Sequence, residues 1–167
     1  MDRLLDEIES YWSTRTEGYS EVNEKELKGM QKKAWLKTLE SGFLEKKLSD
    51  NDKEQLRILD IGTGPGFFPM ILAEAGYHVT AVDYTPGMLE KAAENAAKFI
   101  GEKSSNIEFK RMDAQALEFE DESFDVIISR NLTWNLPHPD QAYGEWLRVL
   151  KKGGKLLNFD ANWYGYL

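Results

Sequence analysis

The sequence predicts an α/β fold in which helices cover both faces of a doubly wound, mainly parallel sheet. Short apolar runs alternate with helical patterns over residues 57–160. A glycine-rich turn over residues 62–66 follows the first of these runs, and acidic residues follow several of the others. Strands that alternate with helices form right-handed βαβ units, whose strands are parallel. The pattern therefore favours a Rossmann-like sheet.

The first 55 residues predict a helical segment that precedes the sheet. Apolar side chains recur there at helical spacing, at Leu4, Leu5, Ile8, Tyr11 and Trp12 and again at Leu27, Met30, Ala34, Trp35 and Leu39. Between the two groups, Tyr19-Ser20 and the acidic run over residues 21–26 predict a hinge. Residues 49–52 predict a loop. We expect two units, an N-terminal helical segment over residues 1–55 and the sheet over residues 56–167.

Five strands and three helices are predicted in the second unit. The strands are expected over residues 57–60, 78–83, 107–112, 124–130 and 155–160. Helices are expected over residues 67–75 and 87–100 and after Pro139, the last one ending at Gly153-Gly154. The second helix has the clearest start, because Thr85 can cap it and Pro86 takes its first position.

The bulk properties exclude several functions. The chain has 167 residues and no cysteine, so disulfides, thiolate metal sites and cysteine nucleophiles are absent, and we expect no metal. Its net charge of −8 argues against nucleic acid, which needs clustered Lys and Arg. No run approaches the roughly 20 apolar residues of a membrane span. The acidic N-terminus does not read as a signal peptide, so a cytoplasmic location is expected.

The glycine turn predicts a site for a nucleoside-containing cofactor. Glycine lets the backbone approach a ligand closely, and the next helix offers free N–H groups. The spacing is Gly62-x-Gly64-x-Gly66, whereas a dinucleotide fingerprint has its third glycine one place later, at the position of Phe67. Asp83 follows Gly62 by 21 residues, a distance that suits ribose hydroxyls in either class of cofactor.

Charged residues and glycines follow the predicted strands at the edge where ligands of such sheets bind. They are Asp60, Gly62, Gly64, Asp83, Asp113 and Arg130. Together with the apolar runs around them they form an ordered motif series. It reads Leu59-Asp60-Ile61-Gly62-Thr63-Gly64-Pro65-Gly66, Val82-Asp83, Met112-Asp113-Ala114, Phe124-Asp125-Val126-Ile127 and Trp146-Leu147-Arg148-Val149-Leu150-Lys151-Lys152-Gly153-Gly154. In order and spacing this series resembles the class I S-adenosylmethionine-dependent methyltransferases, and Tyr11-Trp12 and Gly18-Tyr19 resemble the N-terminal segment of their small-molecule members.

The resemblance implies S-adenosyl-L-methionine as cofactor, S-adenosyl-L-homocysteine as product and a small organic molecule as acceptor. It implies that Asp60 faces the cationic methionine moiety and that Asp83 accepts from the ribose hydroxyls. Residues 1–55 then form a cap over the cofactor. The other implied cofactor contacts are the loop residues Gly62, Thr63, Gly64 and Gly66, then Tyr84, Met88, Asp113 and Ala114 around the adenine, Arg130 and Asn131 beside the methionine end, and Tyr19 over the methyl group.

Each of these assignments has a structural alternative. Asp83 or Asp113 can cap a helical turn, and Tyr19 can pack between helices. Trp134 can line an acceptor pocket or anchor its loop, and His138 can act as a general base or simply precede a helix. No catalytic residue is assigned, because methyl transfer from a sulfonium needs alignment more than proton transfer.

The C-terminal end departs from the family pattern. Family sheets usually have seven strands, and this sequence stops shortly after the fifth, so we expect strands six and seven to be lacking. An open fifth strand invites pairing, which predicts a homo-oligomer through its edge. Two alternatives to a methyltransferase stay open at this point. One is a non-catalytic module that binds S-adenosylmethionine, and the other is an NAD(P)-dependent oxidoreductase.

Overall fold

The computed structural model describes residues 3–161. The helices are α1 (Arg3–Ser13), α2 (Thr16–Lys28), α3 (Gln31–Phe43), α4 (Asp50–Gln55), α5 (Phe67–Glu74), α6 (Pro86–Ile100) and α7 (Pro139–Val149). The strands are β1 (Arg57–Ile61), β2 (His78–Asp83), β3 (Ile107–Arg111), β4 (Phe124–Arg130) and β5 (Leu150–Phe159). Short 3₁₀ segments cover Gly101–Asn106 and Thr133–Asn135.

The five strands form one sheet in the order β3-β2-β1-β4-β5, and every neighbouring pair is parallel. This confirms the predicted Rossmann-like fold. β1 lies at the centre, with Asp60 opposite Ala81 of β2 and Ile128 of β4. Because the connections from β1 and from β3 run in opposite directions across the sheet, the strand order reverses between β1 and β4. A crevice opens at the carboxyl ends of the strands at such a point.

Alternate residues of β1 enter the two cores on opposite faces of the sheet. Ile58 packs with Leu39 of α3 and Ile71 of α5 on one face. Leu59 packs with Trp146 of α7 on the other. Full burial of such side chains contributes about 1.5–3 kcal/mol each. The sheet is therefore covered on both sides, as its nearly continuous apolar strands require.

The N-terminal segment is joined to the sheet through α3. Leu39 and Phe43 of α3 belong to the same hydrophobic cluster as Ile58 and Phe68. The division at residues 55 and 56 falls between α4 and β1 and stays a prediction. Within residues 3–161, no helix combines the length and the apolar composition that crossing a membrane requires.

Two predicted irregular segments are wrong. The expected hinge over residues 19–26 lies inside α2, whose buried side is formed by the polar residues Thr16, Ser20 and Asn23 instead of apolar ones. The expected loop over residues 49–52 begins α4, because Ser49 Oγ accepts from the backbone N–H of Asp52 at 3.2 Å and caps the helix.

The predicted boundary between α7 and β5 is also wrong. The helix ends at Val149 and β5 begins at Leu150, so Gly153-Gly154 lies within the strand. A Cβ at Gly154 would lie 2.9 Å from the Asp125 carbonyl oxygen, and the ladder with β4 is irregular there. Glycine thus allows the close approach of two strands rather than ending a helix. Among the described residues β5 pairs with β4 alone, and self-association through its edge stays a prediction.

Candidate functional site

A cavity of about 510 Å³ lies at the carboxyl ends of the strands, beneath α1 and α2. Its volume is in the range of small-molecule sites. The sheet side supplies Asp60, Ile61, Gly62, Thr63, Gly64, Pro65, Val82, Asp83, Tyr84, Thr85, Met112, Asp113, Ala114, Arg130, Asn131, Leu132, Asn135 and Leu136. The helices supply Leu5, Ile8 and Trp12 from α1, Tyr19, Val22, Asn23 and Glu26 from α2, Phe67 and Phe68 from α5, and Met88 from α6.

The glycine loop connects β1 to α5 with backbone conformations that favour glycine. Gly62, Gly64 and Gly66 have φ angles of +72°, +55° and +92°. A Cβ at Gly62 would lie 2.9 Å from the side chain of Leu132, and one at Gly66 would lie 3.0 Å from Cβ of Ala92. A Cβ at Gly64 would meet nothing within 4 Å. Gly62 and Gly66 therefore permit close packing, whereas Gly64 keeps the loop bare beside the cavity.

Asp83 connects the end of β2 to the glycine loop. Its Oδ2 accepts from the Gly64 backbone N–H and its Oδ1 from that of Thr85, both at 2.9 Å. Burial raises the pKa of this carboxyl, and the two backbone donors oppose the rise. Thr85 takes the cap position of α6 as predicted, but its side chain makes no capping hydrogen bond. Asp83 thus has a structural role and also lines the cavity.

Asp60 is a buried carboxyl in the cavity wall. It is only 3% exposed, and this burial raises its pKa to about 7; the nearby Thr63 hydroxyl and the charge of Arg130 oppose the rise, and the negative charge of Asp83 adds to it. The neighbouring Thr63 is 8% exposed, and its Oγ1 has no hydrogen-bond partner among the described residues. A buried carboxylate favours a cationic ligand, and the buried Thr63 hydroxyl beside it favours a polar one.

Asp113 and Ala114 follow β3 at the far side of the cavity. Asp113 Oδ1 accepts from the backbone N–H of Gln115 at 2.8 Å, which agrees with the alternative that this residue closes a local turn. The carbonyl of Ala114 accepts from Trp146 Nε1 at 2.9 Å. Because α7 holds this segment through Trp146, the position of both cavity residues is fixed by the core.

Arg130 at the end of β4 is paired with Glu26 of α2, a residue that the sequence did not indicate. The two Nη groups of Arg130 donate to the two Glu26 carboxylate oxygens at 3.0 and 2.9 Å. The guanidinium also lies over the rings of Trp35 and Phe67, 4.7 and 5.7 Å from their centroids. Glu26 was missed because it falls in the run interpreted as a hinge. Its spacing of two helical turns from Tyr19 places both on one face of α2.

Aromatic side chains form the roof of the cavity. Trp12 contacts Tyr19 edge to face at 4.9 Å between ring centroids. Its indole N–H donates at 2.8 Å to the side-chain amide oxygen of Asn135 in the amide orientation that also lets the Asn135 nitrogen donate to the Leu132 carbonyl. Tyr19 therefore packs between helices and lines the cavity as well. Trp134 is outside the lining and donates to the Asn131 carbonyl at 2.9 Å, which agrees with the loop-anchor alternative. His138 directly precedes α7, in its N-cap position, and is also outside the lining.

Twelve of the thirteen residues predicted for the site line this one cavity. Gly66 does not, because it packs against α6 instead. Their contacts with a cofactor stay a prediction. Six of the sixteen lining residues that the sequence did not assign to the site come from α1 and α2, and these helices meet the sheet only through tertiary contacts, which no local pattern indicates. No cluster of three His, Asp or Glu side chains suited to a metal ion occurs in residues 3–161.

Comparison with known proteins agrees with this geometry. A family profile described as "Methyltransferase domain" matches residues 59–158, more than half of the chain. A demethylmenaquinone methyltransferase from Clavibacter sepedonicus is 38% identical over 101 residues, covering 60% of this chain and 39% of the relative. The chain spans about two fifths of the length of the first curated relatives it matches.

Solved structures show the same fold. A Methanococcus maripaludis structure described as an S-adenosyl-L-methionine-dependent methyltransferase has a TM-score of 0.73 at 22% identity, covering 87% of this chain and 62% of that one. A Haemonchus contortus N-methyltransferase, solved with phosphomonomethylethanolamine and S-adenosylhomocysteine, has a TM-score of 0.61 at 32% identity, covering 74% and 27%. The chain therefore belongs to the methyltransferase domain family, within the class I S-adenosylmethionine-dependent methyltransferases.

Proposed function

We propose that this chain binds S-adenosylmethionine in the cavity and transfers its methyl group to a small organic acceptor, leaving S-adenosylhomocysteine. The observation that carries the proposal is the meeting of the glycine loop with three acidic side chains, Asp60, Asp83 and Asp113, around one cavity. Two features of the cavity fit the cofactor. The buried Thr63 hydroxyl beside Asp60 offers a partner to a polar ligand, and Gly64 leaves open space beside the loop.

The proposed contacts with the cofactor follow from the charged side chains that line the cavity. The buried carboxylate of Asp60 suits the ammonium and sulfonium groups of the cofactor. Asp83, which already accepts from Gly64 N, keeps oxygen lone pairs for ribose hydroxyls. Asp113 is proposed to accept from the adenine amino group. Met88 is 3% exposed and offers an apolar contact to the ring.

The protein's part in the reaction is to align the reactants and to exclude water. When bound, S-adenosylmethionine supplies a methyl group on a sulfonium, whose leaving group is a neutral thioether. The loop and the strand ends hold that group in place, and Trp12 and Tyr19 cover it from α1 and α2. Fixing two reactants in line removes much of the entropic barrier to their meeting.

The acceptor is proposed to be a small organic molecule that enters beside Arg130 and Asn131. Support comes from apolar lining residues such as Leu132 and Leu136 next to this polar end. The relatives differ in acceptor, since one is named for demethylmenaquinone and another was solved with a phosphorylated amine. A screen of candidate acceptors that follows formation of S-adenosylhomocysteine identifies the class. Cofactor binding without turnover on any acceptor would favour a non-catalytic binding module.

Calorimetric titration tests the cofactor assignment. We expect S-adenosylmethionine and S-adenosylhomocysteine to bind the chain, and Asp83→Ala to abolish binding because a ribose acceptor and a contact to Gly64 are both removed. The matched control is Asp125→Ala. Asp125 also accepts a backbone N–H, that of Arg57 at 2.9 Å, but at the opposite edge of the sheet. Equal losses in the two variants would contradict the assignment, and binding of NAD(H) alone would favour an oxidoreductase.

A further inference from the structure

Asn95 is a buried amide on the inner side of α6 that connects two parts of the cofactor site. Its side chain is 7% exposed. Its Nδ2 donates to Ser20 Oγ of α2 at 3.0 Å and to the Pro65 carbonyl of the glycine loop at 3.1 Å. Asn95 itself is absent from the cavity lining. One amide group thus bonds to the helix above the cavity and to the loop beneath it.

The surroundings of Asn95 favour a small apolar residue, so an amide side chain at this position needs a specific explanation. Ala92 and Ala96, its neighbours on the buried side of α6, are fully buried. Ala92 lies against Gly66, so this part of α6 supports the glycine loop directly. Burying an amide costs free energy unless its donors are satisfied, and the two donors of Asn95 are satisfied by α2 and the loop. Its hydrogen bonds thus depend on both partners being in place.

Contacts on the N-terminal side of Asn95 align α2 along α6. Glu17 and Lys91 form an ion pair at 3.2 Å one turn before Ser20 and Asn95. Thr16, the residue before Glu17, has its Oγ1 3.7 Å from the position that a Cβ on Gly87 would take, one turn of α6 before Lys91. The Ser20–Asn95 pair is the buried member of this series. A shift of α2 along α6 would therefore break the Ser20–Asn95 bond and release one side of the amide that also donates to Pro65.

We propose that Asn95 is a positioning residue that couples the placement of α2 over the cavity to the conformation of the glycine loop. The inference rests on the proposed function, since the loop is taken to hold the cofactor. Asn95 acts through Pro65 and Ser20 and does not touch the ligand. When α2 is in place, the amide holds the Pro65 carbonyl, and the loop keeps its binding conformation. When the loop is occupied, the same amide holds α2.

Three variants test the coupling in the full chain. Asn95→Ala removes the amide, Asn95→Asp keeps its shape but replaces the donors by an acceptor, and Ser20→Ala removes the partner on α2. We expect both Asn95 variants to bind S-adenosylhomocysteine about tenfold more weakly, the loss that about one buried hydrogen bond represents. Ser20→Ala should weaken binding less, because the bond to Pro65 remains, and combining it with Asn95→Ala should add nothing, because Asn95→Ala already removes the bond to Ser20.

Asn106→Ala is the matched control. Asn106 is also a partly buried asparagine whose Nδ2 donates to a backbone carbonyl, that of Ala73 at 3.3 Å, but it is outside the cavity lining. We expect it to lower the melting temperature and to leave the affinity unchanged. Equal weakening in Asn106→Ala and Asn95→Ala would overturn the proposal. If the Asn95 variants do not fold, unchanged affinity in Ser20→Ala would overturn it as well.

Hydrogen exchange gives a readout that a purely structural role would not change. In the unmodified chain, adding S-adenosylhomocysteine should slow amide exchange both in residues 62–66 and in α2. In Asn95→Ala at saturating ligand, slowing should persist in the loop and disappear from α2. Slowing of both segments in the variant would overturn the coupling. Absence of any binding to the unmodified chain would instead overturn the proposed function.

Discussion

Asp60 is a single residue whose buried carboxyl favours a positively charged ligand. Its carboxyl is buried in the cavity wall, and its pKa is raised from 3.8 to about 7. The folded protein without ligand therefore holds a proton that the unfolded chain releases between these pH values. Stability is lost as the pH rises through this window. A cation bound beside Asp60 reverses the preference, because it stabilises the ionised form.

Cofactor affinity should consequently increase as the pH rises through about 7 and become constant above it. The melting temperature of the ligand-free protein should fall over the same range. Asp60→Asn should remove the Asp60 contribution to both trends and bind the cofactor weakly at every pH. Calorimetric titration and thermal unfolding between pH 5.5 and about 8.5 measure the two effects. Affinity that falls with rising pH would contradict the placement of the cationic group.

Gly64 offers a second test at this scale, because its open side faces no protein atom within 4 Å. Gly64→Ala should cost about 1–2 kcal/mol of stability through its positive φ and should reduce cofactor affinity further by placing a methyl group beside the ligand. Gly153→Ala is the control, since Gly153 also has a positive φ, of +76°, and open space. Only the first variant should change the affinity in a binding titration.

At the scale of elements, α2 is held over the cavity by contacts with two other elements. Its polar face meets α6 through Ser20 and Asn95, and its cavity face meets β4 through Glu26 and Arg130. The Arg130–Glu26 pair is partly buried, with side chains 27% and 13% exposed. A partly buried bidentate pair is stronger than an exposed one. The ion pair therefore contributes to holding α2 over the cavity.

Glu26→Gln should lower the free energy of unfolding by about 1–3 kcal/mol, since Arg130 keeps one neutral acceptor in place of a carboxylate. Glu24→Gln is the control on the same helix. Glu24 pairs with Lys28 near the surface, where salt bridges contribute little. Urea unfolding of both variants measures the difference. A loss in Glu24→Gln as large as in Glu26→Gln would mean that the buried pair has no special role.

The same elements show what the sequence could and could not predict. Buried parallel strands leave apolar runs, and Pro86 and the glycine loop mark where helices begin, so the sheet and its ligand edge were predictable. α2 was not, because its buried face consists of Thr16, Ser20 and Asn23, which read as polar surface. The pairing of Glu26 with Arg130 joins residues 104 positions apart, and no local pattern indicates it.

At the scale of the whole molecule, α3 makes the N-terminal helices and the sheet share one hydrophobic core. Leu39 is fully buried between Ile58 and Phe68, among others. We therefore expect a single cooperative unfolding transition, with tryptophan fluorescence and circular dichroism changing together. Two separate transitions would favour independent units at the predicted boundary after residue 55.

Leu39→Ala should destabilise this shared core by about 2–5 kcal/mol, because the cavity it leaves opens onto both the helices and the sheet. Leu147→Ala is the control, since Leu147 is a helical leucine that is 61% exposed. Denaturant unfolding should show a large shift of the midpoint for the first variant and a small one for the second. A loss of helical signal alone in Leu39→Ala would contradict the shared core.

The contacts that close the cavity also set an order of events during synthesis. Glu9 pairs with Arg111 and Glu26 with Arg130, over 102 and 104 positions of sequence. A ribosome adds about 5–20 residues per second. The helices above the cavity are therefore synthesised roughly 5 to 20 s before their partner residues on the strands. For that interval the nascent chain has no binding site and its cavity-facing side chains are exposed to water. The speed of translation between residues 26 and 130 thus determines how long the growing chain remains unable to bind a ligand that would stabilise it.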